Sequence, residues 1–181
     1  KYVTKRPDAE RFGVRAQTGV SCTEEGGVSY NGALVMNAPL SDNAAVRAGG
    51  FYSRDGGYID NAGLGADDVN QANIYGGRFD VLIAPTEAFS MRIGAYAQNI
   101  ARDGQATADY NLTGVPERGE LEQSRLFSEP FDQRFRLVSA TLSYDWDAAA
   151  LTSISSYQTV RTDLFYDISR QFVPLLASYD F

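Results

Sequence analysis

The chain has 181 residues, a formal net charge of −7 and no histidine. Without histidine it cannot supply a Ser-His-Asp or Cys-His catalytic group or a His-ligated zinc site, and its acidic balance argues against nucleic acid as a partner. Cys22 is the single cysteine, so neither an internal disulfide nor a thiolate metal cluster can form. We therefore expect no catalytic residues, no metal site and no cofactor here.

The chain opens on Tyr2-Val3-Thr4-Lys5-Arg6-Pro7, a short β-like run closed by a proline that cannot continue a central strand. It begins without a methionine or a signal peptide, so we expect it to be an internal segment of a longer protein. Its mean hydropathy is −0.29, and no window approaches the run of about 18 apolar residues that a membrane helix needs. Membrane-crossing strands would escape this test, because only every second residue faces lipid.

Seven stretches then alternate apolar and polar residues with a period of two, which is the pattern of β-strands. The facing of the seventh stays open, because Thr152, Ile154, Ser156 and Val160 on one side compete with Leu151, Ser153, Ser155 and Tyr157 on the other. The predicted strands are Phe12–Cys22, Val28–Ala38, Ala44–Arg54, Ile74–Ile83, Phe89–Asn99, Arg134–Asp145 and Ala150–Thr162.

The fourth and fifth strands form a hairpin with the clearest two-faced pattern. One face is apolar, whereas the other holds Arg, Asp, Gln and Ser. Each strand is about ten residues long, the length that a tilted strand needs to cross a bilayer, although a soluble sandwich strand alternates in the same way. If Pro85-Thr86-Glu87 is the whole loop, Asp80 lies directly opposite Arg92 on the polar face, which would line a lumen.

The connections between the strands alternate in length from the second strand onward. Short turns are predicted at 39–43, 85–87 and 146–149, and long loops at 55–73, 100–133 and 163–181. Because neighbouring antiparallel strands run in opposite directions, all short turns fall at one edge of the sheet and all long loops at the other. This is the arrangement of bacterial outer-membrane barrels, and compact soluble domains rarely hold several long loops.

Aromatic residues near the strand ends fit the girdles of such a barrel. They are Phe89, Tyr144 and Trp146 at the turn edge and Tyr30, Tyr52 and Tyr75 at the loop edge. Seven strands leave the first and the last running in the same direction. We therefore predict an all-β, antiparallel up-and-down meander that stays open, as part of a larger barrel.

Several loop residues are candidates for binding. Asp60, Asn61, Asp67, Asp68 and Asn70 suggest a cation loop, but their spacing does not fit a calcium loop, and an acidic solvated loop is favoured. Glu120 and Glu122 are likewise interpreted as solvated carboxylates. Aromatic and arginine side chains on exterior loops often anchor ligands, with loop packing as the plainer interpretation. These candidates are Tyr58, Tyr110, Arg118, Arg125 and Phe127.

The order of these elements resembles the start of the barrel in TonB-dependent outer-membrane receptors. Tyr2-Val3-Thr4-Lys5-Arg6-Pro7 is similar to the end of the plug domain in that family, and Arg47-Ala48-Gly49-Gly50-Phe51-Tyr52 is similar to one of its strands. The continuation 55–61, the re-entry 70–78 and the stretch from Asp109 to Arg136 also resemble the family, the last one a proteobacterial branch of it.

The resemblance implies a barrel of about 22 strands that holds a plug in the outer membrane of a Gram-negative cell. Residues 1–10 would then end the plug and its linker, and residues 11–181 would form roughly the first seven strands. It further implies TonB, outer-membrane lipid and lipopolysaccharide, and a small nutrient ligand as partners. The nutrient would be a ferric siderophore, cobalamin or an oligosaccharide.

Two other functions stay open at the level of sequence. One is a soluble extracellular β-sandwich that acts as a binding module and buries its apolar face against a second layer. The other is an outer-membrane barrel enzyme whose catalytic residues lie outside this segment.

Overall fold

The computed structural model describes residues 4–170 and residue 172. Tyr2 and Val3 of the first predicted β-run, and the end of the predicted tail loop, lie outside the described residues. The described chain is all-β, with a helical conformation at residues 169, 170 and 172. Its described helical residues include no segment that is long and apolar enough to cross a membrane.

The strands of the described residues are β1 (Gly13–Cys22), β2 (Val28–Ser41), β3 (Ala44–Asp55), β4 (Asp60–Asn61), β5 (Ala72–Ile83), β6 (Phe89–Arg102), β7 (Glu122–Gln123), β8 (Phe131–Trp146) and β9 (Ala149–Leu164). Seven of them form one antiparallel sheet in the order β1-β2-β3-β5-β6-β8-β9, in which each strand pairs only with the sheet strands that precede and follow it in the chain. The predicted meander is therefore confirmed. The other two strands, β4 and β7, pair with each other in the loops.

The sheet stays open within the described residues, as predicted. Strand β1 pairs only with β2, and β9 pairs only with β8. Several strands extend past their predicted ends, as in β8, which starts at Phe131 rather than Arg134. Strands are paired by backbone hydrogen bonds, which do not require alternating side chains. Pairing therefore continues as far as Phe131 and Leu164, so that β8 and β9 extend into the region predicted as polar loops.

The two faces of the sheet differ in chemistry. From β1 to β8, every exposed large hydrophobic strand residue lies on one face, which we call the apolar face; examples are Phe79, Val138 and Leu142. The opposite, polar face is the more enclosed one, because Asp80 and Asn37 on it are only 2% and 4% exposed. The register resolves the facing of the seventh strand, since Tyr157 pairs with Val138 on the apolar face.

The predicted pairing of Asp80 with Arg92 is wrong by two residues. Asp80 lies opposite Gly94, and Arg92 lies opposite Leu82, so the loop is longer than predicted and runs from 84 to 88. The cause is local: the Thr86 carbonyl and hydroxyl oxygens both accept the N–H of Phe89, at 3.3 and 3.1 Å, which closes a wider turn. Asp80 and Arg92 still share the polar face, as predicted.

The long loops lie at one edge of the sheet and interact with each other. Residues Asp60 and Asn61 of β4 pair in parallel with Glu122 and Gln123 of β7. The loop between β3 and β5 is thereby tied to the loop between β6 and β8. The sequence did not predict this contact, because a two-residue parallel bridge between distant loops leaves no periodic pattern.

Candidate functional site

Four arginines lie on the polar face, spread from β1 to β6, and we call them the arginine band: Arg15, Arg47, Arg78 and Arg92. The register places them in three successive rows of side chains that cross β1, β3, β5 and β6. Asp80 is the one carboxylate in these rows. It accepts hydrogen bonds from Nε and Nη2 of Arg78, the latter at 2.8 Å, so the buried carboxylate is paired.

The N-terminal segment, residues 4–12, lies against this polar face. Asn37 holds it in place: its Nδ2 donates to the carbonyl oxygens of Asp8 and Arg11 at 2.8 and 2.6 Å, and its Oδ1 accepts the N–H of Asp8 at 3.0 Å. Pro7 is buried. One buried amide side chain therefore fixes the path of the polypeptide across the polar face.

Between this segment and the sheet lies a cavity of about 290 Å³. Its wall includes Lys5 from the segment and Arg47, Arg78 and Asp80 from the sheet, with Tyr96 at one side. Three positive groups and one carboxylate thus surround the cavity. A negatively charged group inside the cavity would therefore be stabilised by its surroundings.

A second cleft, of about 420 Å³, opens at the loop end of the polar face. Tyr58 lines it together with Asp55 and Arg102 at the ends of their strands. The Arg102 guanidinium lies 5.1 Å from the ring centroid of Phe131, which orients it by a cation–π contact. An aromatic ring, a carboxylate and a guanidinium around one cleft are suited to a polar solute.

Arg125 occupies the centre of an ion-pair cluster rather than an open binding surface. Its Nη1 lies 2.9 Å from Oδ1 of Asp109, and its Nε lies 3.5 Å from Oε2 of Glu129. Arg170, beyond β9, also contacts Asp109 and reaches Glu117. Burial acts to raise the pKa of Asp109. The hydrogen bonds from Arg125 and the Ser124 N–H, together with the two guanidinium charges, hold that pKa below its ordinary value.

Asp167 ties the segment after β9 to the same cluster. Its carboxylate accepts the backbone N–H groups of Leu126 and Phe127 at 2.5 and 3.2 Å, while its own N–H donates to Oε1 of Glu129 at 2.8 Å. A hydrogen bond from Ser169 is the main reason that the pKa of Asp167 falls to about 2, and backbone donors add to it against a smaller effect of burial. The loops are thus held by ionised carboxylates.

The structure does not bring the five predicted ligand residues together. Tyr58 lines the cleft, and Arg125 lies in the ion-pair cluster. Tyr110 is 49% exposed and donates its hydroxyl hydrogen to the Glu120 carbonyl at 2.9 Å. Phe127 is exposed beside a smaller cavity, and Arg118 is exposed on the outer loop. Sequence reasoning missed Asp55 and Arg102, because as strand-end residues they carried no distinguishing pattern.

Three side chains of the suggested cation loop, Asp60, Asn61 and Asn70, accept hydrogen bonds from backbone N–H groups. Oδ1 of Asp60 accepts the Asp68 N–H at 2.9 Å, and Oδ1 of Asn70 accepts the N–H groups of Tyr58 and Ile59, both at 2.8 Å. Oδ1 of Asn61 accepts the Arg125 N–H at 2.9 Å. Among residues 4–170 and 172, no three His, Cys, Asp or Glu are grouped for a metal. These side chains shape the loops.

Comparison with protein-family models, with curated proteins and with solved structures found no match.

Proposed function

We propose that this chain is the end of the plug and the first seven strands of a TonB-dependent outer-membrane receptor, which imports a scarce nutrient with energy from TonB. The observation that supports the proposal most strongly is the exposure of the apolar face. Phe79, Val138 and Leu142 are 49%, 54% and 42% exposed, and no described segment packs over them. Soluble monomers rarely leave such a continuous apolar surface in water, whereas lipid would cover it.

The dimensions of the sheet support the same proposal. The shorter central strands, β3 and β5, have 12 residues each, and 12 residues at about 3.4 Å per residue span roughly 29 Å when tilted by about 45°. A bilayer core is about 30 Å thick. The charged residues of the apolar face all lie in its loop-side half, for example Arg134 and Arg136. The half nearest the turns is free of charge.

Aromatic residues mark both ends of the apolar face. Tyr30 and Tyr52 stand near the loop edge with ring centroids 6.0 Å apart. Tyr144 and Trp146 stand at the turn edge with centroids 4.5 Å apart. Aromatic girdles of this kind lie where a barrel meets the two lipid headgroup regions. The short turns would then face the periplasm, and the loops that carry Arg125 would face the exterior.

The polar face also supports the proposal, because a receptor of this family would have a polar lumen that holds a polypeptide. The N-terminal segment, which resembles the end of a plug, lies on this face and is fixed there by Asn37. A complete receptor of about 22 strands would close this sheet around its plug. The cleft beside Tyr58 and Arg102 opens toward the loop edge, where a nutrient would enter.

Uptake by living cells tests the proposal. The complete protein is produced in Gram-negative cells with and without TonB, and uptake of ferric siderophores, cobalamin and oligosaccharides is measured. We expect uptake of one nutrient class, and its loss without TonB; undiminished uptake in cells lacking TonB would contradict the proposal. A chain that is monomeric in buffer without detergent would instead support the soluble binding module.

A further inference from the structure

The cleft at the loop end of the polar face has an apolar floor between two charged side chains. In the register, Ala72 on β5 lies between Asp55 on β3 and Arg102 on β6, so two strand spacings, about 10 Å, separate the backbones of the charged residues. Ile74 and Ile100, the next pair on the same face, also line the cleft. Because Ala72 is small, the space between the charged side chains stays open. A ligand there would contact apolar groups below it and polar groups on both sides.

The polar groups around the cleft use little of their hydrogen-bonding capacity. Within residues 4–170 and 172, Asp55 and Arg102 belong to no ion pair, and the Asp55 carboxylate accepts one long hydrogen bond, of 3.5 Å, from Oγ of Ser53. Asn70 is only 7% exposed. Its Oδ1 accepts two backbone N–H groups, whereas its Nδ2 donates to no described residue. As far as the described residues go, a carboxylate, a guanidinium and an amide N–H therefore remain to bind hydroxyl groups.

Tyr58 adds an aromatic ring whose backbone is held from both sides. Its N–H donates to Oδ1 of Asn70 at 2.8 Å. Gly57, which precedes it, has a φ of 84°, and its carbonyl oxygen accepts the N–H of Gly27 at 3.0 Å. A Cβ built on Gly26 would lie 2.9 Å from Cβ of Tyr58, so the turn between β1 and β2 packs directly against this tyrosine. Because this backbone is fixed before a ligand arrives, binding loses less conformational entropy.

The charge and the size of the cleft discriminate between the three nutrient classes. Asp55 and Arg102 are the charged groups among its described lining residues, so the cleft has no excess positive charge to attract an anionic ferric complex. Its volume of about 420 Å³ is near the lower end of the range for drug-sized ligands, about 300–1,000 Å³. Cobalamin, with a corrin ring and a nucleotide arm, is too large to be enclosed there. Sugar rings instead combine apolar C–H faces with edges of hydroxyl groups, which match the aromatic and aliphatic side chains and the polar groups of the cleft.

We propose that this cleft binds a neutral oligosaccharide. One sugar ring stacks on the ring of Tyr58, and its hydroxyl groups bind the side chains of Asp55, Arg102 and Asn70. This assignment rests on the proposed function, because it selects one of the three nutrient classes, but binding itself requires no TonB.

The test measures binding to the complete protein by calorimetry in a zwitterionic detergent, because the sugar headgroups of maltoside detergents would compete. The probes are the neutral trisaccharides maltotriose, cellotriose and xylotriose. Trigalacturonate, ferric enterobactin, ferrichrome and cyanocobalamin represent the alternative ligands. Tyr58→Leu and Asp55→Asn alter the cleft. Their matched controls are Tyr166→Leu, at a tyrosine that is 64% exposed outside the cleft, and Asp67→Asn, at an exposed carboxylate on the loop that follows β3.

We expect at least one neutral trisaccharide to bind, each cleft variant to raise its Kd by about tenfold, and both controls to stay within about twofold of the unmodified protein. No binding of any neutral trisaccharide, or equal weakening in cleft and control variants, would overturn the proposal. Tighter binding of any alternative ligand than of every neutral trisaccharide would also overturn it, and would leave the transport proposal standing. Uptake without TonB of a trisaccharide that binds in the cleft would contradict the transport proposal alone.

Discussion

An arginine placed on either face of β8 distinguishes lipid from water. Val138 and Ser139 are adjacent at the middle of the strand, with Val138 on the apolar face and Ser139 on the polar face. In a membrane, Val138→Arg places a charge at mid-depth, which costs about 2–4 kcal/mol, or roughly 30- to 900-fold in the unfolding equilibrium. In water, the same change at a residue that is 54% exposed would cost only about 0.5 kcal/mol or less.

Ser139→Arg is the matched control. Gly94 lies opposite Ser139, and the Asp80 carboxylate and the Ser139 hydroxyl approach it from either side. A Cβ built on Gly94 would lie 2.8 Å from Oδ1 of Asp80 and 3.4 Å from Oγ of Ser139. A guanidinium at position 139 would therefore have a carboxylate close by. We expect this variant to cost about 1 kcal/mol or less. Both variants are measured by equilibrium urea unfolding of protein reconstituted in phosphatidylcholine vesicles. If Val138→Arg costs no more than Ser139→Arg, the apolar face does not contact lipid and the reasoning fails.

Three further predictions concern the polar face and the loops. Asn37→Ala removes three hydrogen bonds worth about 1 kcal/mol each, so trypsin should cleave the N-terminal segment faster than in the Asn31→Ala control on the same strand; equal rates would contradict the Asn37 contact. Asp80→Asn leaves the Arg78 charge, 26% exposed, without its partner and should cost about 1–3 kcal/mol. Adding Arg78→Gln should recover part of that loss, and no recovery would count against the ion pair. The pKa of Asp167 is lowered from 3.8 to about 2, so its stabilising effect is complete above about pH 4 and is lost as the pH falls toward 2. The protection factors of the two backbone N–H groups that it accepts, which correct for the intrinsic pH dependence of hydrogen exchange, should fall over this range. In Asp167→Asn they should not change with pH, and constant protection in the original chain would contradict the contact.

The strand order and the two faces were predictable because they depend on local chemistry. Alternation with a period of two fixes which residues share a face, and one slipped residue would move a charge such as Arg92 to the apolar face. Alternation does not fix which residues lie opposite each other. The turn at 84–88 fixes which residues lie opposite each other, through hydrogen bonds to Thr86 that no sequence pattern revealed. Asp80 therefore pairs with Arg78 on its own strand rather than with Arg92.

The loop contacts were less predictable, because they join residues far apart in sequence. Arg125 was selected by residue type alone, and the structure places it against Asp109 and Glu129. Asn37 was assigned to a strand face, but nothing in its neighbours indicated that it would hold the N-terminal segment. Of the predicted ligand residues, Tyr58 lines the cleft at the loop end. Tyr58 was selected by its residue type and its place in a loop, and neither determines the position of its side chain, because loop geometry depends on tertiary contacts.

Trp146 allows the most direct measurement of whether the apolar face contacts lipid. It is the single tryptophan of the chain, lies at the turn end of the apolar face and is 52% exposed. Its fluorescence is measured in vesicles of lipids brominated at different depths along their acyl chains. The proposal predicts strong quenching that is greatest for bromines nearest the headgroups, where girdle aromatics lie. Fluorescence that is unchanged by bromine at every depth would contradict it.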